Sequence, residues 1–522
     1  MTDIMNEQIA KFIEENEGQW SIPESEQIVL VEGRNLPKQL ISSALLANVI
    51  SEKRGYSPVI VSQEISDTAK AVYGSFGINS FCEIKTKQIL RSNPKIALQA
   101  FREFIRLAVL FSLKRFNFDW FISSASMHGV KIGDLIYDSY IRHNQHYLNP
   151  WKRLDRFMRL MLRTALLTTA LKDLYDCQNI RATVVSTTVY ASVPALLTRI
   201  SLQRNIPVSV LTGTFARHLR NESEAYKKVY HVEPEFLEQA RRVSNWPQKV
   251  EQYLEARFSG AVQEHDVINA YKNKRQWTRT ELLAQFKLSV DDRRPIAFVM
   301  LHAFSDANHS SGPLLFRDYY QWYEQTLPHI AGLKNVIWVV RPHPSSYMYH
   351  ETGIAAETLK PYLSENILLC PEDMSTASTF DIADVFITAT GTIGIEAACM
   401  GVPVILSGQA VYGGYGFTYE PRNRQEYFVK LAEIPSLTRL SDEQVDKARL
   451  VLFWYHLQRR PDSEVLPEIA VMPGQTKAEY EKLWEAIFRE LRNNLHLKTF
   501  RNDPYYQKMI DFVVGSNRVI SP

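Results

Sequence analysis

The chain has 522 residues, 45% of them hydrophobic and 22% charged, with a formal net charge of +3. That length exceeds a single hydrophobic core and implies two or three domains of ordinary globular composition. The near balance of charge gives no nucleic-acid footprint. Cys82, Cys177, Cys370 and Cys399 lack CxxC spacing, which leaves out a disulfide or zinc framework and suggests reduced core residues.

The N-terminus, MTDIMNEQIAKFIEENEGQW, is acidic and has no apolar signal core, and no apolar run approaches bilayer length. The expectation is a cytoplasmic protein, with peripheral attachment to the inner face of the inner membrane as the one membrane role left open. After an amphipathic first helix, QIVLVEGR (27–34) reads as a strand, residues 40–53 as a helix and SPVIVS (57–62) as a second strand. Residues 87–113 read as helix, FDWFISS (118–124) as strand and 151–176 as helix. Strand 182–187, helix 191–204 and strand 207–212 follow. Strands alternating with helices predict a mostly parallel sheet.

A polar stretch over 221–294, including YKNKRQWTR, reads as a helical linker. A second α/β half begins with PIAFVML (295–301), continues through NVIWVVRPHP (335–344) and NILLCPE (366–372), and reaches VFITATGTIGIEAACMGVPVIL (385–406). Residues 422–522 read as helices that pack on, or cross back to, the N-terminal domain. The predicted organisation is an N-terminal Rossmann-like domain (1–220), the linker (221–294), a second, C-terminal Rossmann-like domain (295–421) and the trailing helices (422–522). This is the outline of a GT-B fold, two Rossmann-like domains facing a cleft, with ligands beyond the carboxyl ends of the strands.

The stretch 385–406 carries most chemistry. An apolar strand ends in a small-residue turn, a short helix follows, Gly401 and Pro403 stop it, and a second apolar run begins. Gly391 would admit a ligand close to the backbone, and the amides of Thr392, Ile393 and Gly394 would open a helix N-terminus suited to an anion. Glu396 is placed to accept hydrogen bonds from ribose or sugar hydroxyls. The other strand ends of this half are also polar. HAFSDANHSSG offers His302 and Asp306; RPHPSS offers Arg341, His343 and Ser345; PEDMST offers Glu372 and Ser375, the last also suited to capping a helix. Arg341 and His343 would bring positive charge and donors to a phosphate or diphosphate leaving group. The Gly/Tyr loop GQAVYGGYGFTYEP (408–421) would fold over the donor sugar, with Tyr412 or Tyr415 stacking on it.

RPHP, the TGTIGIEA turn and GVPVIL, with HAFSDANHSSGPLLFRDYYQWYEQTL and KIGDLIYDSYIR, resemble bacterial surface-polysaccharide enzymes of the capsule-synthesis type, over 121–142 and 184–421. The resemblance implies a GT-B glycosyltransferase, some relatives using CMP-Kdo. Teichoic-acid CDP-glycerol transferases and UDP-GlcNAc 2-epimerases share a similar donor half. It also implies that Arg341, His343, Thr390, Gly391, Thr392 and Glu396 contact the donor nucleotide. His343-Pro344-Ser345 stands where several Kdo transferases carry His-Pro-Glu, a departure that bears on the sugar.

In the first half, His128, Asp134 and Asp138 lie in SSASMHGVKIGDLIYDSYIR, and the two aspartates would share a helix face. A carboxylate there would act as general base or nucleophile, although a helix cap and a solvated side chain explain the same pattern. Glu32 and Arg34 end the first strand and, with Gly213 and His218 of SVLTGTFARH, stand as acceptor contacts or plain turns. Lys152, Arg156, Arg159 and Arg163 would form one basic helical stripe, either solvated or resting on anionic lipid.

The expected activity is transfer of a sugar from a nucleotide donor, such as CMP-Kdo or a related CMP or UDP sugar, to a capsule or lipopolysaccharide glycan, itself free or lipid-linked. No cofactor or metal is expected, since no DxD-like motif stands out. Polyol-phosphate transfer or a UDP-GlcNAc 2-epimerase-like reaction is the enzymatic alternative. A non-catalytic glycan-binding or scaffold subunit is the other.

Overall fold

The computed structural model describes residues 6–142, 145–226, 231–261, 274–310, 312–459, 461–467 and 477–520. The chain forms two compact units. The first comprises Met1–Tyr140, Arg153–Val229 and Arg459–Pro522; the second comprises Ile141–Lys152 and Tyr230–Gln458. The described helices of the stretch read as a linker, Pro234–Arg241, Trp246–Phe258 and Arg279–Gln285, therefore group with the second unit. Burial explains the grouping: Phe236 stacks on Trp454 with ring centroids 4.6 Å apart, and Arg257 is buried against Glu396. Residues 227–230 and 262–273 of that stretch lie outside the described residues. The trailing helices divide at 458/459 between the two units.

The first unit is built on β1 (Gln27–Glu32), β2 (Ser57–Ser62), β3 (Phe81–Glu83), β6 (Asn179–Val185), β7 (Val208–Thr212) and β8 (Phe215–Leu219), in the order β3-β2-β1-β6-β7-β8. All neighbours are parallel except β7 and β8, a hairpin. Val29, Leu30 and Val31 of β1 are fully buried, as expected of a central strand covered on both faces. The helices Lys477–Leu497 and Pro504–Val514 complete this core by adding Trp484, Phe488, Leu491, Met509 and Phe512 to it.

FDWFISS, expected as a strand, is the helix Phe118–Ser124. The Asn117 side chain caps it by accepting from the Trp120 amide at 3.0 Å, and Phe118, Phe121 and Ile122 are buried. Those three positions follow i, i+3, i+4 spacing, so the apolar run satisfies a helix as well as a strand. A small hairpin follows, β4 (Ser126–Met127) and β5 (Val130–Lys131), whose turn residues His128 and Gly129 both have positive φ.

The second unit holds β9 (Ile296–Met300), β10 (Ile337–Arg341), β11 (Ile367–Leu369), β12 (Val385–Thr388) and β13 (Val404–Leu406) in an all-parallel sheet ordered β11-β10-β9-β12-β13. Both units are thus Rossmann-like α/β folds. Strand order reverses between β1 and β6 in the first sheet and between β9 and β12 in the second. At such a switch point successive connections leave toward opposite faces and open a crevice at the carboxyl ends of the strands.

His218 on β8 shows how the C-terminal segment is tied into the first unit. Its Nε2–H donates to the Phe512 carbonyl at 3.0 Å, its Nδ1 meets the Ser209 hydroxyl at 3.1 Å, and the ring stacks on Phe512 at 3.7 Å. The imidazole is therefore a structural latch, and burial holds its pKa below the ordinary value. A folded-state pKa below the unfolded one makes the stability contribution fully present above the unfolded value of about 6.5 and lost as pH falls through the folded one. The first unit is expected to lose stability between pH 7 and 5, and His218→Gln to reduce that loss. Denaturant melts of both proteins across this range measure it.

Candidate functional site

The loops after β9 and β12 meet at the switch point of the second sheet. His302, two residues beyond β9, accepts the Thr390 amide on Nε2 at 3.1 Å and faces the Thr388 hydroxyl at 3.3 Å. In the neutral ring an accepting Nε2 puts the proton on Nδ1. Tyr319 stacks on this ring with centroids 4.1 Å apart, and its hydroxyl lies 3.1 Å from Thr390 Oγ1. A methyl group at Gly391 would stand 2.9 Å from Thr388 Oγ1 and 3.5 Å from the His302 ring, so glycine keeps this crevice open. Thr392 lies at the N-terminal end of the seven-residue helix Ile393–Cys399. The Gly394 amide is already bonded to the Gly391 carbonyl at 3.0 Å.

Several expected donor contacts have other partners. Tyr412 is fully buried and its hydroxyl donates to the Gly391 carbonyl, so its ring cannot stack on a sugar; it braces the turn instead. A methyl group at Gly394 would come within 2.2 Å of that hydroxyl, which explains the second glycine. Glu396 is 2% exposed and takes the Arg257 Nε–H at 2.7 Å. The carboxylate expected to receive ribose hydroxyls is half of a buried ion pair. Arg341 is likewise buried, and donates to the Met374 carbonyl at 2.9 Å and the Thr376 hydroxyl at 3.1 Å. It fastens the loop after β11 to the end of β10, a bracing task rather than phosphate binding.

His343 differs. It is half-buried, and its Nδ1 accepts the Ser345 amide at 3.2 Å, which leaves Nε2 carrying the proton in the neutral ring. The hydroxyls of Ser345 and Ser407, beyond β10 and β13, are buried without a hydrogen-bond partner among the described residues. Such orphaned groups are uncommon and consistent with a polar ligand. Ser375 caps the helix Thr376–Ile382 by accepting the Ser378 amide at 3.3 Å. Glu372 is exposed, and its carbonyl accepts from Lys274. Asp306 is exposed and hydrogen-bonds Tyr349, over whose ring Arg142 lies at 4.4 Å.

Sequence reasoning missed Glu351, which accepts the amides of Phe304 at 2.7 Å and Ser305 at 2.9 Å and so shapes the loop behind His302. Burial raises its pKa. It also missed Asn308, which donates to the Phe304 carbonyl at 2.9 Å and accepts the Tyr319 amide at 2.6 Å. Asn308 lies within HAFSDANHSSG, but its bracing of the Tyr319 amide is a tertiary contact that the motif does not show, and Glu351 lies outside the motifs singled out.

In the first unit, Glu32 and Arg34 stand at the β1/β6 switch point. Glu32 accepts the amide and hydroxyl of Ser186 at 2.5 and 3.0 Å, and Arg34 Nε lies 2.5 Å from its other oxygen. Burial raises the carboxyl pKa, opposed first by the Arg34 charge. Asp134, expected as a base or nucleophile, is instead in a buried bidentate pair with Arg199 at 2.7 and 2.5 Å. That guanidinium holds it as a structural anchor. Asp138 is also buried. His128 occupies the β4–β5 turn, not a strand end, and its Nε2 meets Thr169 Oγ1 at 2.8 Å. Gly213, with φ of 64°, opens the two-residue β7–β8 turn, a conformation that by itself accounts for glycine.

The helix of the expected basic stripe begins at Leu154, so Lys152 falls outside it, and Arg159 is paired with Asp155 at 2.6 Å. Cys370 and Cys399 are buried, but Cys177 is exposed, so the cysteines are not uniformly core residues. Among the described residues no group of three or more His, Cys, Asp or Glu side chains is arranged to hold a metal ion.

Residues 233–441 match the family described as capsule polysaccharide biosynthesis protein. The segment contains the whole β9/β12 crevice. Among solved structures the chain is similar to a β-Kdo 2,7 transferase of Thermosulfurimonas dismutans KpsC, with 17% identity over 62% of this chain and 88% of that one, TM-score 0.32. The β-Kdo 2,4 transferase of the same protein is matched at 12% identity over 59% and 88%, TM-score 0.31. A UDP-GlcNAc 2-epimerase of Neisseria meningitidis is matched at 10% identity over 83% and 99%, TM-score 0.22. No curated protein sequence matches significantly.

Breaking a buried pair strands a charge and costs about 3–5 kcal/mol. Glu396→Ala should therefore lower the unfolding free energy of the second unit by about that amount, measured by urea titration. Tyr412→Phe, which removes one neutral hydrogen bond, should cost about 1 kcal/mol.

Proposed function

We propose that this protein is a glycosyltransferase of capsule or lipopolysaccharide assembly, whose second unit binds a nucleotide-activated sugar at the β9/β12 switch point. One observation carries the reading. The capsule-family segment is the part of the chain in which His302, Thr388, Thr390 and Gly391 converge on a sheet-end crevice. Anionic ligands of parallel sheets bind at such crevices, where backbone and small side chains admit them closely.

In this reading the Gly391 turn receives the donor phosphates and His343 offers its Nε2–H to the leaving oxygens, stabilising charge as the glycosidic bond of the donor breaks. The orphaned hydroxyls of Ser345 and Ser407 supply further polar contacts. Arg341, Glu351 and Tyr412 act as positioning residues that hold these loops. A CMP or UDP sugar, including CMP-Kdo, is the donor class, the acceptor is a growing glycan, and neither metal nor cofactor takes part.

A thermal-shift panel of CMP, CDP, UDP and GDP with their sugar conjugates tests the proposal. One nucleotide family should stabilise the protein, by about 2.7 kcal/mol at a hundredfold excess over its dissociation constant. His302→Ala and His343→Ala should each weaken that binding at least tenfold while the uncomplexed melting temperature stays near that of the parent. Stabilisation by none of the nucleotides, or full affinity in both variants, would refute the donor site.

A further inference from the structure

The helix Pro94–Leu113 buries Ile96, Ala97, Ala100, Leu107 and Phe111, and packs against the helix Leu154–Cys177, with Phe111 5.5 Å from Phe157. Its opposite face is also apolar. Leu98, Phe101, Ile105, Val109 and Leu113 are 39–73% exposed, and Leu90 on the preceding helix Thr86–Ser92 is 47% exposed. At 100° per residue these five side chains on the longer helix fall within one stripe, centred opposite the buried residues. Single exposed apolar residues need no explanation, but a continuous row of large ones marks an interaction surface.

Charge identifies the partner. Residues 86–115 contain seven Lys or Arg side chains and a single acid, Glu103. That acid is engaged with Arg106 at 2.8 Å and with the His128 amide at 3.1 Å. Lys95 and Arg102 lie along one edge of the apolar row, and Lys114 and Arg115 follow its end; all four are exposed. A second copy of this chain docking through the same face would bring basic groups against basic groups, which an isologous contact does not tolerate well. An anionic lipid surface satisfies both features, taking the apolar row among its acyl chains and the cations at its headgroups.

We infer that the helix Pro94–Leu113 is a membrane-surface anchor that lies in the interface of an anionic bilayer. It rests on the surface and does not cross: among the described residues no helix is long and apolar enough to span a membrane. The inference is independent of the nucleotide reading. It also moves membrane contact away from the basic stripe at 156–163, where Arg159 is paired with Asp155.

Co-sedimentation of the full chain with phosphatidylcholine vesicles, with and without 30 mol% phosphatidylglycerol as roughly a physiological anionic fraction, tests it. The parent should bind the anionic vesicles at least tenfold more tightly than the neutral ones, and bind less at high salt. Ile105→Glu combined with Val109→Glu should abolish sedimentation, with the melting temperature and any nucleotide-induced shift unchanged. Lys95→Gln with Arg102→Gln should weaken binding to anionic vesicles only. Arg156→Gln with Arg159→Gln should bind like the parent. Failure of the parent to bind, or undiminished binding by the Ile105/Val109 variant, would overturn the inference. So would a parent dimer in analytical ultracentrifugation that this double variant splits into monomers. If the Ile105/Val109 variant folds poorly, Leu98→Ser with Leu113→Ser replaces it, with the same readings.

Discussion

The second unit depends on one buried charge pair. Arg257, from a helix that precedes the sheet, closes on Glu396 in the first turns of the helix following β12, with both side chains almost wholly out of water. Removing two charges from solvent is costly, so such a pair persists only where geometry is well defined. The pair fixes the short helix, and the Tyr412 hydroxyl then fixes the Gly391 carbonyl just before it. Once those contacts are made, the turn that opens the crevice has little freedom left, and His302 can reach the Thr390 amide from the neighbouring strand.

The same division of labour runs through both units. Several buried charged groups are braces: Asp134 with Arg199, Arg341 with the loop after β11, Glu351 with the amides behind His302. The half-buried imidazoles of His302 and His343 are different, because each has one ring nitrogen fixed by a backbone amide. An imidazole oriented in this way presents a defined tautomer, which a flexible surface histidine does not.

Apolar surface is distributed as unevenly as charge. The C-terminal helices complete the first core by covering Phe12, Phe76 and their neighbours. The helix Pro94–Leu113, by contrast, is hydrophobic on both faces and has only one of them covered by the fold. A helix apolar all round ordinarily lies inside a protein or against another apolar phase.

The sequence by itself determined two mostly parallel α/β halves, because continuous apolar runs such as VFIT and IVLV, bounded by turn residues, suit central strands between helices. It also determined that polar turns follow those strands, so His302 and Gly391, which the structure brings together, and His343 were each legible as strand-end residues. FDWFISS was not, since its apolar spacing suits helix and strand alike and only the Asn117 cap and the packing of Phe118 and Phe121 decide between them. Nor were the roles of Glu396, Arg341 and Asp134 readable. A carboxylate or guanidinium in a motif looks the same whether it faces a ligand or an opposite charge. Which one it faces depends on residues distant in the chain: Arg257 lies 139 positions from Glu396, and Arg199 lies 65 from Asp134. Local pattern sets where strands end and what chemistry stands there. Only tertiary contact decides which of those groups are already neutralised, because desolvation and pairing are properties of the packed chain.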